Sequence, residues 1–433
     1  MEPDRELLID DDGVEEGKRL EEEDENYQYH QANRESRLLD LEEDSAGEKR
    51  NRMQHILGKD LIVAVFVVAF DTKKGNIIEW AYPEEINLDG VEFRAMASGF
   101  HNVTTDFIYF KHNQLFGLSC YEKISVSNVE ERGARMKSVG ILAVSYSNLH
   151  NHMEFLSQQA KFRVQNPNSD YESLVSYFWS IQAPRANPTS PSSLATQDLP
   201  HMEITHPAGC FSQFLEFFGP KVFALWKLSL LKKRILIFSP PPVGVTCYKV
   251  YCMCLLASHN IENTEIDTGQ NPLFFVNVAD IDYISTLNSY IACTTERIFQ
   301  SKTDLYDIYI DSQTIIPTSN RLDCFLRLTP TDEQRYTQLI HSQDMAFTLT
   351  RAMKDKTEQD VMLARFFQQL NTEVYQSLIN VDGDSCEDHV MTCEMVQLIG
   401  LHPKDHIFLT ELASLHSLNV TVQRQSDAFP CCI

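Results

Sequence analysis

The segment that most constrains the fold covers residues 204–244, ITHPAGCFSQFLEFFGPKVFALWKLSLLKKRILIFSPPPVG. Its spacing of apolar residues predicts two helices that lead into a short buried strand, as at the start of an α/β layer. Where a glycine-rich phosphate loop would follow that strand, this chain has Ser239, Pro240, Pro241 and Pro242. Proline has no backbone N–H to donate to a phosphate, so the loop cannot form a nucleotide cradle. The segment therefore indicates an α/β surface that acts on another protein.

About half of the net charge of −24 lies in the first 50 residues, which carry 19 acidic and 7 basic side chains. Acidic runs such as 10–12 and 21–25 have few apolar neighbours and cannot bury enough surface to offset the entropy of an ordered chain. The pattern predicts an acidic disordered tail over residues 1–55. Phosphates repel so acidic a protein, so nucleic acid is not an expected partner.

The compartment can be inferred from apolar runs and cysteines. No charged-then-apolar signal segment opens the chain, and the longest apolar runs, 61–70 and 250–257, are too short to span a bilayer. Eleven cysteines without regular spacing favour a reducing compartment, so we expect a cytoplasmic protein. In the tail 426–433, Cys431 and Cys432 are lipidation candidates, although they miss the four-residue prenylation box. The alternative is a frayed terminus.

Residues 56–182 are expected to form an antiparallel sheet with helices packed on it. The runs 61–70 and 76–83 predict a β-hairpin around the turn DTKKG, followed by a short helix over 91–99. Three further strands and two helices follow. The strands are predicted at 106–110, 115–121 and 138–146, and the helices at 149–160 and 171–181.

Residues 183–200 contain four prolines among serines and threonines and are predicted to be an interdomain linker. A central three-layer α/β domain is expected over 201–330, and a helical part over 331–425. The central strands are predicted at 234–239, 273–280, 290–294 and 305–310, with a helix over 245–259. In the helical part, one face is formed by Leu363, Phe367, Leu370, Val374 and Leu378. The predicted fold class is therefore α+β followed by α/β.

Long ordered phrases between about residues 63 and 297 carry a family resemblance. They include VAVFVVAFDTKKGNIIEW, GVEFRAMASG, ERGARMKSVGIL, LLKKRILIFSPPPVG, FFVNVAD and ACTTE. Together they resemble LCHN-type members of the DENN domain family. The resemblance implies a DENN module, with a longin-like upstream half, a linker, a central α/β half and a helical downstream part. It also implies a guanine nucleotide exchange factor for a small GTPase of the Rab class, which acts in membrane traffic without a cofactor or chemistry of its own.

In the family the GTPase lies across both halves of the module, which must therefore be held at a fixed angle. Loops that follow strands of an open α/β sheet are common binding sites. The candidates in this chain are Ser239, Pro240, Pro241 and Pro242 after the first central strand and Asp280 and Asp282 after the second. The alternative for the prolines is that they end the strand and steer the next helix. Peripheral contact with vesicle membranes and a partner DENN subunit are also expected.

The stretch RGAR, residues 132–135, supports a second hypothesis. It resembles the Arg-Gly-x-x-Arg stretch of folliculin-type DENN relatives, in which the first arginine acts in GTP hydrolysis. Carried over, Arg132 would stabilise charge on the transferring phosphoryl group, as in a GTPase-activating factor. The structural alternative is that Arg132 and Arg135 pair with Glu130 and Glu131 or cap a strand. A non-catalytic DENN scaffold that binds and recruits a GTPase is the third hypothesis.

A dense basic cluster is formed by Lys227, Lys232, Lys233 and Arg234. It is a candidate surface for anionic lipid or for an acidic region of a GTPase. The alternative is a solvated helix end, whose cations complement the negative end of the helix dipole.

Metal and hydrolase chemistry have no support in the sequence. Cys247, Cys252 and Cys254 point to different faces of their predicted helix and have no partner at zinc-site spacing, which favours core packing. No GxSxG elbow occurs and no cysteine stands in a catalytic context. We therefore expect no metal.

Overall fold

The structure is a computed structural model, which describes residues 62–128, 131–146, 148–182, 211–258, 270, 272–349, 356–383 and 389–424. These residues belong to one compact unit, Asp60–Ile433. The predictions for the acidic tail 1–55, for the linker 183–200, and for Cys431 and Cys432 lie outside the described residues. Among the residues that are described, no helix is long and apolar enough to cross a bilayer.

The first half of the described chain has the predicted order of elements. These are β1 (Ile62–Asp71), β2 (Gly75–Tyr82), α1 (Val91–Ala95), β3 (Thr105–His112), β4 (Leu115–Ser125), β5 (Ala134–Ala143), α2 (Met153–Gln165) and α3 (Glu172–Gln182). Single 3₁₀ turns at Phe100–Asn102 and Leu149–His152 precede β3 and α2. β5 begins earlier than predicted because β4 extends to Ser125 and supplies pairing partners for Arg135 and Met136.

Both faces of this antiparallel sheet are covered, which explains why its strands are apolar along most of their length. On one face the hydroxyl of Ser119 donates to the carbonyl oxygen of Ala95 on α1, at 3.4 Å. The next residue, Cys120, points to the other face and contacts Ser157 on α2. The hairpin of β1 and β2 is confirmed, with Asp71 paired to Gly75 across the turn.

The second half has the α/β layout expected for it. Its elements are α4 (Phe211–Phe218), α5 (Val222–Leu230), β6 (Arg234–Phe238), α6 (Gly244–Leu256), β7 (Pro272–Phe275), α7 (Ile281–Ser285), β8 (Tyr290–Thr294), β9 (Ile308–Asp311) and β10 (Thr314–Pro317). β6 pairs in parallel with β8 and β9, and β7 pairs in parallel with β8. Every residue of α5 is buried, as its all-round apolar composition predicts.

The two halves share one sheet of ten strands, in the order β10-β9-β6-β8-β7-β3-β4-β5-β1-β2. The junction is the pairing of Phe110 on β3 with Phe275 on β7. One hydrophobic cluster also runs through both halves, from Ile62 on β1 to Val422 in the helical part. The fold class is therefore confirmed as α+β and α/β, and the antiparallel and parallel portions form a single mixed sheet.

The helical part adds α8 (Asp323–Leu326), α9 (Pro330–Leu349), α10 (Lys356–Asp382), β11 (Val390–Met391), α11 (Cys393–Leu398), α12 (His406–Leu415) and β12 (Thr421–Val422). The predicted apolar face of α10 is buried. The carboxylate of Asp360, near the start of α10, accepts hydrogen bonds from the backbone N–H groups of Phe211 and Ser212, at 3.2 and 3.0 Å. An acidic residue from α10 thus caps the start of α4, because a carboxylate stabilises the positive end of a helix.

Candidate functional site

The proline loop after β6 lies against the connection between α1 and β3. The backbone N–H of Ser239 donates to the carbonyl oxygen of Thr294 at the end of β8, at 3.0 Å. A methyl group on Gly99 would meet the ring of Pro241 at 3.3 Å, so that ring lies close to the backbone of Gly99. Pro240 and Pro242 are exposed. The loop that the sequence singled out therefore joins the second half to a segment of the first.

Asp106 on β3 occupies the N-terminus of α6, directly after the proline loop. Its carboxylate accepts hydrogen bonds from the backbone N–H groups of Val243 and of Gly244, the latter at 3.1 Å. These are the donors that a nucleotide-binding α/β protein would direct at a phosphate. An internal carboxylate already fills that position, which agrees with the absence of a phosphate loop from the sequence.

Asp106 is 5% exposed, and its burial raises the pKa from the ordinary 3.8 to about 6, although three backbone donors act in the opposite direction. A carboxyl whose folded-state pKa is raised contributes stability that is complete below pH 3.8 and is lost as the pH rises through about 6. The difference between these two pKa values corresponds to about 3 kcal/mol of folding stability. The free energy of unfolding of the parent protein, measured by urea titration and compared with that of Asp106→Asn, should therefore fall between about pH 4 and pH 7. A difference between the two proteins that stays constant with pH would contradict this assignment.

Asp280 and Asp282 differ in their surroundings. Asp282 is exposed on α7, whereas Asp280 is 2% exposed and forms an ion pair with Arg94 of α1. Asp280 also accepts from the backbone N–H of Asn277 at 2.9 Å, and the Asn277 side chain accepts from Ala279 at 2.9 Å. This capping box ends β7 at Phe275, so the strand predicted over 273–280 is wrong in its second half. Asp280 is an internal anchor and not an exposed acid.

The anchor includes a histidine from β3. Nη1 of Arg94 lies 2.9 Å from Nδ1 of His112, and Nε2 of His112 lies 3.0 Å from the carbonyl oxygen of Asn87. A ring that donates through Nε2 and accepts at Nδ1 is neutral. Burial lowers the pKa of His112, with the neighbouring Arg94 acting in the same direction. Arg94 is thus held between β3 and the loop after β7, one element from each half.

Beside these contacts lies a groove with a volume of about 430 Å³. Its apolar wall is formed by Phe70, Phe93, Met96, Phe100, Met136 and Val278. Three of these side chains are unusually exposed for their size, with Phe93 and Val278 at 46% and Phe70 at 38%. An exposed apolar patch of this kind is typical of a protein contact. It contains side chains from both halves of the sheet.

Two polar groups from the second half face the groove. Asn277 is 5% exposed, and its Nδ2 has no hydrogen-bond acceptor among the described residues. Glu296 accepts from the backbone N–H of Val278 at 2.8 Å, and burial raises its pKa. The hydroxyl of Thr295 donates to the carbonyl oxygen of Ser98, which lines the groove, at 3.2 Å. A partner can therefore offer the groove an apolar side chain, whereas Nδ2 of Asn277 is buried beneath the surface of the groove.

Sequence reasoning identified the proline loop and the loop after β7, and the structure places both beside the groove. Sequence reasoning missed the contribution of Phe93, of residues 96–101 and of Glu296 to the groove. A signal was present, because an apolar Phe93 between Glu92 and Arg94 does not fit the buried face of a short helix. The local sequence does not indicate that the segment around Phe93 contacts loops of the other half.

Arg132 lies in the turn between β4 and β5, with a left-handed φ of 51°, and its side chain is exposed. Arg135 instead forms an ion pair with Glu131 at 2.8 Å and donates to the carbonyl oxygen of Val164 at 3.1 Å. Within the described ranges, no ion pair involves Arg132. A second cavity lined by Glu131 and Arg135 shares Phe70 and Met136 with the groove, so this turn lies near it.

The predicted basic cluster is not one exposed patch. Lys227 is 2% exposed, and its Nζ lies 2.9 Å from Asp332 and 2.8 Å from Asp405. Lys233 pairs with Glu411 at 3.3 Å, and Arg234 pairs with Asp307 at 3.1 Å. Adjacent basic residues in the sequence are separated here by the end of α5 and the start of β6. Lys227 holds the helical part against α5 and is unavailable to lipid.

The cysteines on α6 lie mainly in the core. Cys247 and Cys252 are buried and Cys254 is half-buried. The thiol of Cys247 donates to the carbonyl oxygen of Tyr109 at 3.4 Å and lies 3.8 Å from the sulfur of Cys293. In the part of the chain that the structure describes, no three His, Cys, Asp or Glu side chains are grouped to hold a metal ion.

Comparison with known proteins adds a family assignment to this geometry. A family model described as DENN domain-containing protein 11 matches residues 65–321. DENN domain-containing protein 11 of Danio rerio is 43% identical over 389 residues, which cover 86% of this chain and 78% of that protein. Its Xenopus laevis counterpart is 40% identical over 390 residues, covering 87% and 88%. A more distant relative, the uncharacterized protein ANR2 of Saccharomyces cerevisiae, is 26% identical over 303 residues, covering 58% of this chain and 57% of its own length.

Proposed function

Because the chain belongs to the DENN domain family, in the group of DENN domain-containing protein 11, we propose that it is a guanine nucleotide exchange factor for a small GTPase of the Rab class. The observation that carries the proposal is the groove, where exposed Phe93, Val278 and Phe70 come from both halves of the sheet. Its base is rigid, since the Arg94–Asp280 pair and the Asp106 cap connect the halves. A fixed concave surface of this kind suits a folded protein partner.

An exchange factor performs no covalent chemistry, so it needs no nucleotide pocket. It binds the nucleotide-free GTPase more tightly than the GDP-bound form, and by reciprocity it weakens the binding of GDP by the same factor. An acceleration of about 1,000-fold in GDP release corresponds to roughly 4 kcal/mol of barrier reduction. A few apolar residues that become fully buried at an interface can supply energies of this size. In our proposal Pro240, Pro242 and Asp282 border this contact.

The first test is release of a fluorescent GDP analogue from a panel of purified Rab proteins, with excess GTP and catalytic amounts of the protein. We expect dose-dependent acceleration on one or a few members. Acceleration would also identify the GTPase. Failure on every well-folded member of the panel, alone and with candidate DENN partner subunits, would overturn the exchange proposal.

Phe93→Glu should reduce that exchange activity by about 100-fold, because a charge would enter the apolar wall of the contact. The matched control is Phe162→Glu on α2, since Phe162 is 47% exposed and Phe93 is 46% exposed. Both variants should retain the unfolding midpoint of the parent protein. Equal exchange rates for Phe93→Glu and Phe162→Glu would show that the groove is not the GTPase surface.

One observation favours a second candidate function. Arg132 is exposed near the groove, and among the described residues it forms no ion pair. An arginine that enters a partner's active site must be exposed in this way. In this alternative the protein accelerates GTP hydrolysis. Arg132→Ala separates the two, because exchange should survive and accelerated hydrolysis should vanish. A scaffold would bind the GTPase and show neither activity.

The proposal includes the finer assignments implied by the resemblance. These are the LCHN-type subgroup, the longin-like character of the first half, a role in vesicle traffic, and residence in the cytoplasm with peripheral contact to vesicle membranes. DENN family membership and the described fold support them at the coarser level.

A further inference from the structure

A third cavity lies in the helical part, between α12, β12 and the start of α8. Its volume is about 660 Å³, and its polar and apolar lining includes Arg321, Arg424, His406, Thr410, Glu411 and Ile407. None of these residues belongs to the groove or to the sequence motifs. We propose that this surface docks the protein on a membrane rich in anionic lipids. The proposal does not depend on exchange activity.

Charge is the first argument. The carboxylate of Glu411 is shared by two cations, Arg321 at 3.1 Å and Lys233 at 3.3 Å. Arg424 lines the same cavity. The lining thus carries two arginines and one carboxylate, and Lys233 contacts that carboxylate from outside the lining, so the surface has a net positive charge on a chain whose net charge is −24. A local positive field is what attracts anionic lipid headgroups, and each cation near such a membrane contributes about a fivefold gain in binding.

Exposure indicates a membrane and not a phosphate pocket. Arg321 is 82% exposed, so its guanidinium remains hydrated and is not oriented around one bound group. Ile407, also in the lining, is 41% exposed and offers an apolar side chain next to the cations. Cations beside an exposed aliphatic residue suit an interface where headgroups and acyl chains are both within reach.

The test is cosedimentation of the full chain with vesicles of phosphatidylcholine alone and of phosphatidylcholine mixed with phosphatidylserine. We expect binding to the mixed vesicles only, weakened by salt because exposed charges are screened. The double variant Arg321→Gln, Arg424→Gln should lose about 25-fold in affinity. The matched control, Lys73→Gln with Lys74→Gln, removes the same charge from exposed positions in the β1–β2 turn and should bind as the parent does.

A third variant changes affinity in the opposite direction. Glu411→Gln removes the carboxylate that neutralises Arg321 and Lys233, so it should tighten binding to the mixed vesicles about fivefold. Disrupted folding would weaken binding and could not tighten it. The proposal is overturned if the parent protein does not prefer the mixed vesicles, or if both double variants lose affinity equally. Binding of a phosphorylated peptide without vesicle binding would also overturn it.

Discussion

Lys227→Met should lower the free energy of unfolding by about 3–5 kcal/mol. Methionine keeps the length of the side chain but removes its charge, which leaves the buried carboxylates of Asp332 and Asp405 without the cation that contacts them. The exposed fractions of the Lys227 and Asp332 side chains are 2% and 1%, so water cannot replace the lost partner. Urea unfolding followed by tryptophan fluorescence measures the change, since Trp226 precedes Lys227 on α5.

Two comparisons isolate the cause of that loss. Lys302→Met removes a charge from an exposed position and should change the free energy of unfolding by no more than about 0.5 kcal/mol. Adding Asp332→Asn and Asp405→Asn to Lys227→Met removes the uncompensated charges and should restore at least about half of the lost stability. If the single variant lost less than about 1 kcal/mol, the buried cation would not be what holds the helical part.

Arg94→Ala should destabilise the fold by about 2–4 kcal/mol and also abolish exchange activity. Asp280 would remain buried without its cation, and α1 would lose its connection to the loop after β7. Because Phe93 is next to Arg94 and Val278 lies two residues before Asp280, the relative positions of Phe93 and Val278 would no longer be fixed. Urea unfolding and GDP release should be measured at a temperature where the variant remains folded.

Stability and activity can be separated at this position. Arg94→Ala combined with Asp280→Asn removes both charges, so much of the stability should return while exchange stays low. Arg94→Lys keeps the charge but not the guanidinium geometry that contacts Asp280 and His112 together, so it should give intermediate values for both. Normal exchange by a folded Arg94→Ala protein would show that the partner does not require the two halves to be held by this contact.

Periodicity was sufficient to predict most of the elements, because it reports burial within a single segment. The β1–β2 hairpin, the fully buried α5 and the apolar face of α10 are examples. The shortest elements could not be predicted this way. β11 and β12 have two residues each, which is too few to show a periodic pattern. β7 ends at a capping box formed by side chains, which hydrophobic periodicity does not indicate.

Charged residues were the main source of error at the sites. Lys227 and Asp280 were taken for surface groups because their neighbours in sequence are polar or basic, yet both are buried. Their partners, Asp332 with Asp405 and Arg94, are distant in the chain, and nothing in the local sequence indicates the pairing. The proline loop was recognised because proline restricts the backbone by itself, without a distant partner.

The hydrophobic cluster that extends from Ile62 to Val422 bears on how variants of this protein should be interpreted. Because this cluster joins residues of both halves of the sheet and of the helical part, we expect a cavity made at Leu409 in α12 to deplete the folded population that carries the groove. A loss of 1–2 kcal/mol can reduce cellular abundance several-fold. Loss-of-function alleles need not map near the binding surface, and a partner bound at the groove would partly rescue alleles in the helical part by mass action.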